Sequence, residues 1–150
     1  MKLLHVGLNA GFNPPNGLQK AFMGFYEYED ISFNTPNINQ VIIQKSDSFK
    51  PDIVWMQIQT PNIILPSTVE YLKNNGIFVM NWMGDIRLEF PEWTAELGAN
   101  LTCFSNMNYV DELNSIGIKS DFLQTGYDND IYTPIGEISK APEIVFFGNN

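Results

Sequence analysis

The chain has 150 residues, 44% of them hydrophobic, which is enough for one globular domain with its own core. Its formal net charge of −9 opposes non-specific binding to nucleic acid or to an anionic membrane, because both attract positive charge. The lone Cys103 excludes an internal disulfide, a CxxC redox pair and a cysteine-based zinc site, and the lone His5 excludes a multi-histidine metal site. No stretch approaches the ~20 apolar residues of a membrane span, and the apolar run at the N-terminus is too short for a signal peptide, so we expect a soluble, cytoplasmic protein.

The first elements are a strand, a loop of small residues and a helix. Lys2 to Val6 is an apolar run typical of a buried strand. The segment 7–17, G-L-N-A-G-F-N-P-P-N-G, is dense in Gly, Asn and Pro and predicts a loop. From Leu18 to about Tyr28 apolar residues recur at helical spacing, which predicts a helix with Asn16 as a possible N-cap.

The next segment predicts a strand–helix–strand–helix–strand order. A short strand is expected within Glu29–Pro36, then a helix from about Asn37 to Phe49 and a strand over Ile53–Ile58. A third helix over 67–75 has Ser67 and Glu70 in the spacing of a capping box, with Gly76 as its left-handed end. The strand over 77–82 completes a βαβ unit whose two strands are parallel.

The remaining pattern continues the alternation. We expect a short helix over 90–97 beginning near Pro91, a strand over 101–104, a helix ending at Gly117, a strand over 121–123, an irregular connector over 129–142 and a strand over 143–147. Strands that alternate with helices predict an α/β fold with a Rossmann-like, doubly wound parallel sheet. The last strand is either the final edge strand or the start of a second domain.

Polar residues follow two of the predicted strands. The segment Gly76 to Arg87, G-I-F-V-M-N-W-M-G-D-I-R, begins with an unalternating run that predicts a strand buried on both faces. Asp85 and Arg87 come just after it, and Gln57, Gln59 and Thr60 stand at the end of the preceding strand. Ligands of open α/β sheets bind beyond the carboxyl ends of the strands, so these side chains are candidates for a ligand site.

Three pieces of the chain together resemble a glycosyltransferase of the GT-B superfamily. The pair P-D-I-V-W-M (51–56) and G-I-F-V-M-N-W-M-G-D (76–85) is similar to a pattern of the spore-maturation (CgeB-like) group and its glycosyl-transferase-4-like relatives. The segment T-G-Y-D-N-D-I-Y-T-P (125–134) resembles the one that closes the first domain of that family, and I-V-F-F-G-N (144–149) resembles the strand that begins the second.

This resemblance implies the N-terminal half of a GT-B architecture. Residues 1–140 would form an acceptor-side domain, and residues 141–150 the connector end and first strand of a donor-binding domain that is otherwise absent. The implied activity is transfer of a sugar from a nucleotide-sugar donor to an unidentified acceptor hydroxyl, independent of metal and of any cofactor besides that donor substrate. The 150-residue chain alone is expected to be inactive. The acceptor class stays open among carbohydrate, protein, lipid and others, with nucleic acid disfavoured for this half. The alternative is a free-standing Rossmann-like nucleotide- or ligand-binding regulatory module.

Two groups of residues are candidates for the donor diphosphate. A loop before a helix can bring backbone N–H groups to phosphate oxygens, and the resemblance assigns this role to the loop after the first strand. Its candidates are Gly7, Asn9, Gly11, Asn16 and Gly17, although a plain surface loop is the competing interpretation. By resemblance, Gly148 and Asn149 would begin the donor loop of the absent half.

The catalytic candidate is Asp85, which the resemblance places where the superfamily often has its acid–base residue. A helix cap or a pair with Arg87 is the alternative. Arg87 itself can hold phosphate or an acceptor carboxylate, or pair with Asp85 or Glu89.

The acceptor candidates are Gln57, Gln59, Thr60, Trp82, Arg87 and Asp128. Trp82 has an apolar face suited to a sugar ring, although a buried tryptophan at a strand end is more often part of the core. Asp128 resembles part of the interdomain corner of the family, and an Asp-stabilised turn is the alternative. His5 is interpreted as a satisfied strand residue, Cys103 as inert, and no metal ligands are assigned.

Overall fold

The computed structural model describes residues 1–8, 10–85, 90–124 and 126. The elements in chain order are β1 (Lys2–Gly7), α1 (Gly17–Phe25), β2 (Glu27–Ser32), α2 (Ile38–Phe49), β3 (Ile53–Gln57), α3 (Pro66–Asn74), β4 (Phe78–Met83), α4 (Trp93–Glu96), β5 (Leu101–Phe104), α5 (Met107–Ser115) and β6 (Ser120–Phe122). The predicted connector and last strand, and the division between residues 140 and 141, lie outside the described residues.

The six strands form one parallel sheet in the order β2-β1-β3-β4-β5-β6. From β1 the chain first goes outward to β2, then returns past β1 to β3 and continues to the other edge. The strand order therefore reverses between β1 and β3, and the crevice beyond their carboxyl ends is the usual ligand site of such sheets.

The main core lies on one face of the sheet, beneath α2 and α3. Alternate residues of the central strands point to this face, because strand side chains have a period of two. The buried cluster includes Leu4 and Val6 of β1, Val54 and Met56 of β3, Val79 of β4, Ile42 of α2 and Leu72 of α3. A second cluster places α5 on the same face, where Leu113 and Tyr109 pack with Met83 and Phe104. Phe22 of α1 packs on the opposite face, and the predicted Rossmann-like, doubly wound fold is therefore confirmed.

The prediction that β4 is buried on both faces is wrong. Met83 and Val79 are buried, but Phe78 on the other face is 40% exposed and Met80 and Trp82 are half-buried. The physical reason is the cover on that face: of the helices that the structure describes, only α1 lies there. It sits over β1 and β3, where Phe22 contacts His5 and Trp55.

The boundary between α1 and β2 also differs from the prediction. Helical spacing extends to Tyr28, yet α1 ends at Phe25 and Tyr28 lies in β2. Glu27–Ser32 pairs with β1, and this pairing satisfies the backbone N–H and C=O groups of a whole strand. The gain outweighs the helical spacing of the local sequence. The predicted second strand is confirmed but begins earlier than expected.

The ends of α3 and α4 agree only in part with those predicted from the sequence. Pro66 occupies the first turn of α3, so the helix begins one residue early and Ser67 makes no cap; the predicted capping box with Glu70 is wrong. Gly76 is confirmed as the left-handed end, with φ of +77° and an N–H bond from Ile77 to the carbonyl of Leu72. The helix predicted over 90–97 is reduced to the four residues of α4. No helix among the described residues is long and apolar enough to cross a bilayer.

Candidate functional site

The crevice between β1 and β3 depends on Gly7. A Cβ added at this position would lie 2.6 Å from Cβ of Gln57 and 2.9 Å from its backbone nitrogen. Only glycine allows the two strands to approach this closely at their ends. The carbonyl of Gly7 then accepts the N–H groups of Ala10 and Phe33, which fixes where the chain leaves both β1 and β2.

A cavity of about 220 Å³ opens at this edge of the sheet. Four of the predicted site residues line it together: Gln57, Gln59, Thr60 and Asp85. The wall is completed by Leu8, Phe33, Ile58 and Ile63. A small apolar pocket with several convergent polar groups has the general form of a ligand site.

Asp85 and Gln59 interact directly at the cavity. The carboxamide of Gln59, with its nitrogen towards Asp85, donates to Oδ2 at 2.6 Å and lies 3.2 Å from Oδ1. Asp85 is exposed and Gln59 is half-buried, so the amide contributes to the orientation of the carboxylate. A ligand hydroxyl in the cavity can reach the carboxylate.

Asn81 positions the segment that carries Gln59 and Thr60. Its side chain is fully buried, its Oδ1 accepts the N–H of Ile58 at 3.1 Å, and its Nδ2 donates to the carbonyl of Ile58 at 3.4 Å. The amide thus replaces a strand partner just beyond the end of β3. This role of Asn81 is not among the predictions from the sequence, although a single amide within the apolar run of β4 indicates a side chain that needs a hydrogen-bond partner.

The loop after β1 is bound to the rest of the chain through Asp30. Its Oδ2 accepts the N–H of Gly11 at 2.9 Å, Nε2 of Gln19 at 2.6 Å and the hydroxyl of Tyr28 at 3.1 Å. Burial alone would raise the pKa of Asp30, but these hydrogen bonds outweigh it and hold that pKa below its ordinary value. An anion placed at Gly11 would have to displace a carboxylate of like charge.

Asn16 and Gly17 have structural roles at the start of α1. Asn16 is the N-cap, as predicted: its side chain accepts the N–H of Gln19, while the Gln19 side chain accepts the N–H of Asn16. Gly17 is the first helical residue. Asp30 and Gln19 were not among the candidates, although Tyr28 and Asp30, two residues apart, necessarily share one face of a strand.

Trp82 lies apart from the Asp85 cavity, on the opposite face of the sheet. It lines a separate apolar space of about 190 Å³ with Leu18, Trp55, Leu123, Gln124 and Gly126. Its indole N–H donates to the carbonyl of Leu123 at 3.0 Å, and a Cβ at Gly84 would lie 2.9 Å from its ring. These contacts are typical of a packing residue.

The remaining candidates divide between structural residues and those outside the described chain. His5 is buried with both ring nitrogens in contact with polar partners, as expected of a satisfied strand residue. Burial, and secondly the charge of Asp121, raise the pKa of the buried Cys103 to about 11, so the thiol is protonated at neutral pH. Asn9, Arg87, Asp128, Gly148 and Asn149 lie outside the described residues.

Comparison with known proteins adds a fold likeness. No family model matches the chain, and no curated protein sequence matches it. Among solved structures, the chain is similar to a cobalamin-binding protein from Desulfitobacterium hafniense, with 16% sequence identity and a TM-score of 0.45 over 77% of this chain. The match spans 57% of the length of that protein.

Proposed function

We propose that the chain is the acceptor-side domain of a nucleotide-sugar-dependent glycosyltransferase, with the Asp85 cavity as its acceptor site. The observation that carries the proposal is the convergence of Asp85, Gln57, Gln59 and Thr60 on one cavity at the strand-order reversal. The resemblance of segments 51–56, 76–85, 125–134 and 144–149 to GT-B enzymes supplies the reaction class.

Asp85 acts as the general base in this proposal. Transfer to a hydroxyl requires that the hydroxyl lose its proton as the new bond forms, and a carboxylate within hydrogen-bond reach can accept that proton. Gln59 holds the carboxylate by two contacts, so its orientation is set before the acceptor arrives. Such positioning lowers the entropic part of the barrier.

The neutral polar groups of the cavity suit a hydroxyl-bearing ligand. Gln57 and Gln59 offer amides and Thr60 a hydroxyl, each of which can exchange hydrogen bonds with an alcohol. The donor diphosphate would be held mainly by residues outside the described chain, because the N–H groups of Gly11 and Gln19 are already bonded within it. The chain alone is therefore expected to turn over no sugar nucleotide.

A second candidate is a free-standing module that binds a small polyhydroxylated ligand without transfer. The observation in its favour is that the N–H groups of Gly11 and Gln19, in the loop after β1 and the first turn of α1, already donate to Asp30 and Asn16. These bonds do not involve the ligand cavity, but they leave fewer backbone donors for a diphosphate beside it. The two functions share the cavity and differ in whether Asp85 performs chemistry.

The test is sugar transfer by the longest protein that the gene encodes, measured with a panel of sugar nucleotides and simple glycoside acceptors. Asp85→Asn keeps the shape of the side chain and removes its basicity, so we expect loss of transfer by about 100-fold or more with an unchanged melting temperature. Asp111→Asn is the matched control, since Asp111 is an exposed carboxylate on α5. Transfer that survives Asp85→Asn contradicts the assignment of the base. Binding of a glycoside with no transfer by the wild-type protein favours the second candidate.

A further inference from the structure

The loop that follows β3 forms one wall of the Asp85 cavity. Its cavity-lining residues include Gln59, Thr60 and Ile63. Asn81 holds the start of this loop, since its side chain bonds both backbone groups of Ile58. The position of the wall therefore depends also on what holds the other end of the loop.

The other end is held by the side chain of Asn39, in the first turn of α2. Its Nδ2 donates to the carbonyl of Ile63 at 3.0 Å. Its Oδ1 accepts the N–H of Leu65 at 2.9 Å and the hydroxyl of Thr68 at 2.7 Å. A backbone carbonyl can only accept and a backbone N–H can only donate, so these partners fix the orientation of the amide. One side chain thus joins α2 to the end of the loop and to the start of α3.

Two of these three bonds belong to the start of α3. Leu65 is the N-cap of that helix and makes no side-chain cap, and Thr68 is the third helical residue. In a capping box the side chain at this third position bonds the N–H of the N-cap residue. Here Oδ1 of Asn39 accepts from both groups and so supplies the acceptor from another helix. The bond to Ile63 serves no helix and acts on the cavity wall alone.

A displacement at this end of the loop reaches the cavity through very few residues. Only three residues separate Ile63 from Gln59 in the chain. One of them, Pro61, has a fixed φ, and another, Asn62, has a left-handed φ of +65°, a narrow allowed region for a residue other than glycine. The side chain of Ile63 packs against the main core, whereas the bond from Asn39 fixes its carbonyl.

We propose that Asn39 is a positioning residue of the Asp85 cavity. Through its bond to the carbonyl of Ile63 it keeps the loop in the place where the amide of Gln59 contacts the carboxylate of Asp85. Asn39 itself does not line the cavity, so it acts on a ligand only through the loop. Its effect on sugar transfer rests on the proposed function, whereas its effect on Gln59 does not.

Asn39→Asp separates the two tasks of this side chain. The carboxylate keeps an acceptor for Leu65 and Thr68 but has no proton for the carbonyl of Ile63, while Asn39→Ala loses all three bonds. The melting temperature should therefore fall less in Asn39→Asp than in Asn39→Ala. Both variants should nevertheless weaken the contact between Gln59 and Asp85. The control is Gln40→Ala, at the exposed next position of α2, which should leave that contact unchanged.

The side-chain NH₂ signals of Gln59 report this contact by NMR without any ligand. They are identified by their loss in Gln59→Glu, and Asp85→Ala gives their position when the carboxylate is absent. In both Asn39 variants the signals should move from the wild-type position towards that of Asp85→Ala. Signals that stay at the wild-type position in Asn39→Asp overturn the proposal, and Asn39→Ala decides it if Asn39→Asp does not fold. In the wild type, a nuclear Overhauser effect should join the NH₂ of Asn39 to the backbone at residues 63–64, and its absence also overturns the proposal.

Kinetics of the longest protein that the gene encodes separate positioning from a general loss of structure. Asn39→Asp should raise the KM for a glycoside acceptor about fivefold, the factor that corresponds to one hydrogen bond of ordinary strength, and leave the KM for the sugar nucleotide unchanged. Equal effects on the two KM values contradict a role confined to the acceptor cavity. Absence of transfer by the wild-type protein contradicts the proposed function instead, and the Gln59 signals then decide the role of Asn39.

Discussion

Replacing Asn81 with leucine removes two hydrogen bonds from the interior while it keeps the number and the branching of the side-chain heavy atoms. Both bonds go to the backbone of Ile58, which is 2% exposed, and water cannot replace them. A buried polar group without a partner costs about 1–3 kcal/mol. The second bond is long at 3.4 Å, so we expect Asn81→Leu to lower the free energy of unfolding by about 2–4 kcal/mol in total.

Urea unfolding followed by tryptophan fluorescence measures this change in the free energy of unfolding. The slope of that free energy against urea concentration should be the same for variant and wild type, which indicates that the mutation leaves the surface exposed on unfolding unchanged. Asn100→Leu is the matched control. The side chain of Asn100 also bonds the backbone of β4, since it accepts the N–H of Val79 at 2.8 Å. Asn100 is half-buried and makes one such bond, so we expect Asn100→Leu to lower the free energy of unfolding by about 1 kcal/mol. If the Asn81 variant loses no more stability than the Asn100 variant, the amide does not support the end of β3 as we describe.

Two further predictions concern stability. Gly7→Ala should lower the free energy of unfolding by about 1–3 kcal/mol or more, because the new methyl group would lie 2.6 Å from Cβ of Gln57. The control Gly24→Ala, in open space on α1, should raise the free energy of unfolding by about 0.5–1 kcal/mol. Equal effects of the two changes in thermal unfolding would refute the close approach of β1 and β3. Stability should also fall as the pH drops below 6.5, because burial lowers the pKa of His5 in the folded state and the unfolded chain therefore binds a proton first. Asp30, whose pKa is lowered from 3.8, adds a second loss at more acidic pH. Urea midpoints that stay constant from about pH 7.5 to about pH 5.5 would contradict the buried neutral histidine.

Most of the architecture could be predicted because it rests on local patterns. Apolar runs separated by helical spacing specify the alternation of strands and helices, and Gly76 and Gly117, both left-handed in the structure, mark where two helices end. The end of α1 could not be predicted in this way. Tyr28 continues a helical pattern, and its place in β2 follows from pairing with β1, a contact between distant parts of the chain.

The sequence could predict only those site residues that stand at or just after the ends of strands. Gln57, Gln59, Thr60 and Asp85 follow strands that prove to be neighbours, and they do meet in one cavity. Trp82 also stands near the end of a strand, but alternation along β4 places it on the face opposite Val79 and Met83, where it lines the separate apolar space. Asn81 bonds Ile58, and Asp30 bonds Gly11 and Gln19, each more than ten residues away in the chain. The local pattern shows that these polar side chains need partners, but it does not show which residues the partners are.

The most direct test of the central claim is to map ligand binding onto the two spaces that flank the sheet. Titration of the chain with simple glycosides, monitored by side-chain amide NMR, should shift the NH₂ signals of Gln57 and Gln59 at the Asp85 cavity. Asp85→Ala should weaken glycoside binding at least about tenfold, which is the effect of losing one charge-assisted hydrogen bond. The control Asp111→Ala should leave it unchanged. Shifts confined to the indoles of Trp55 and Trp82, with Gln57 and Gln59 unmoved, would contradict the account and place the ligand on the opposite face.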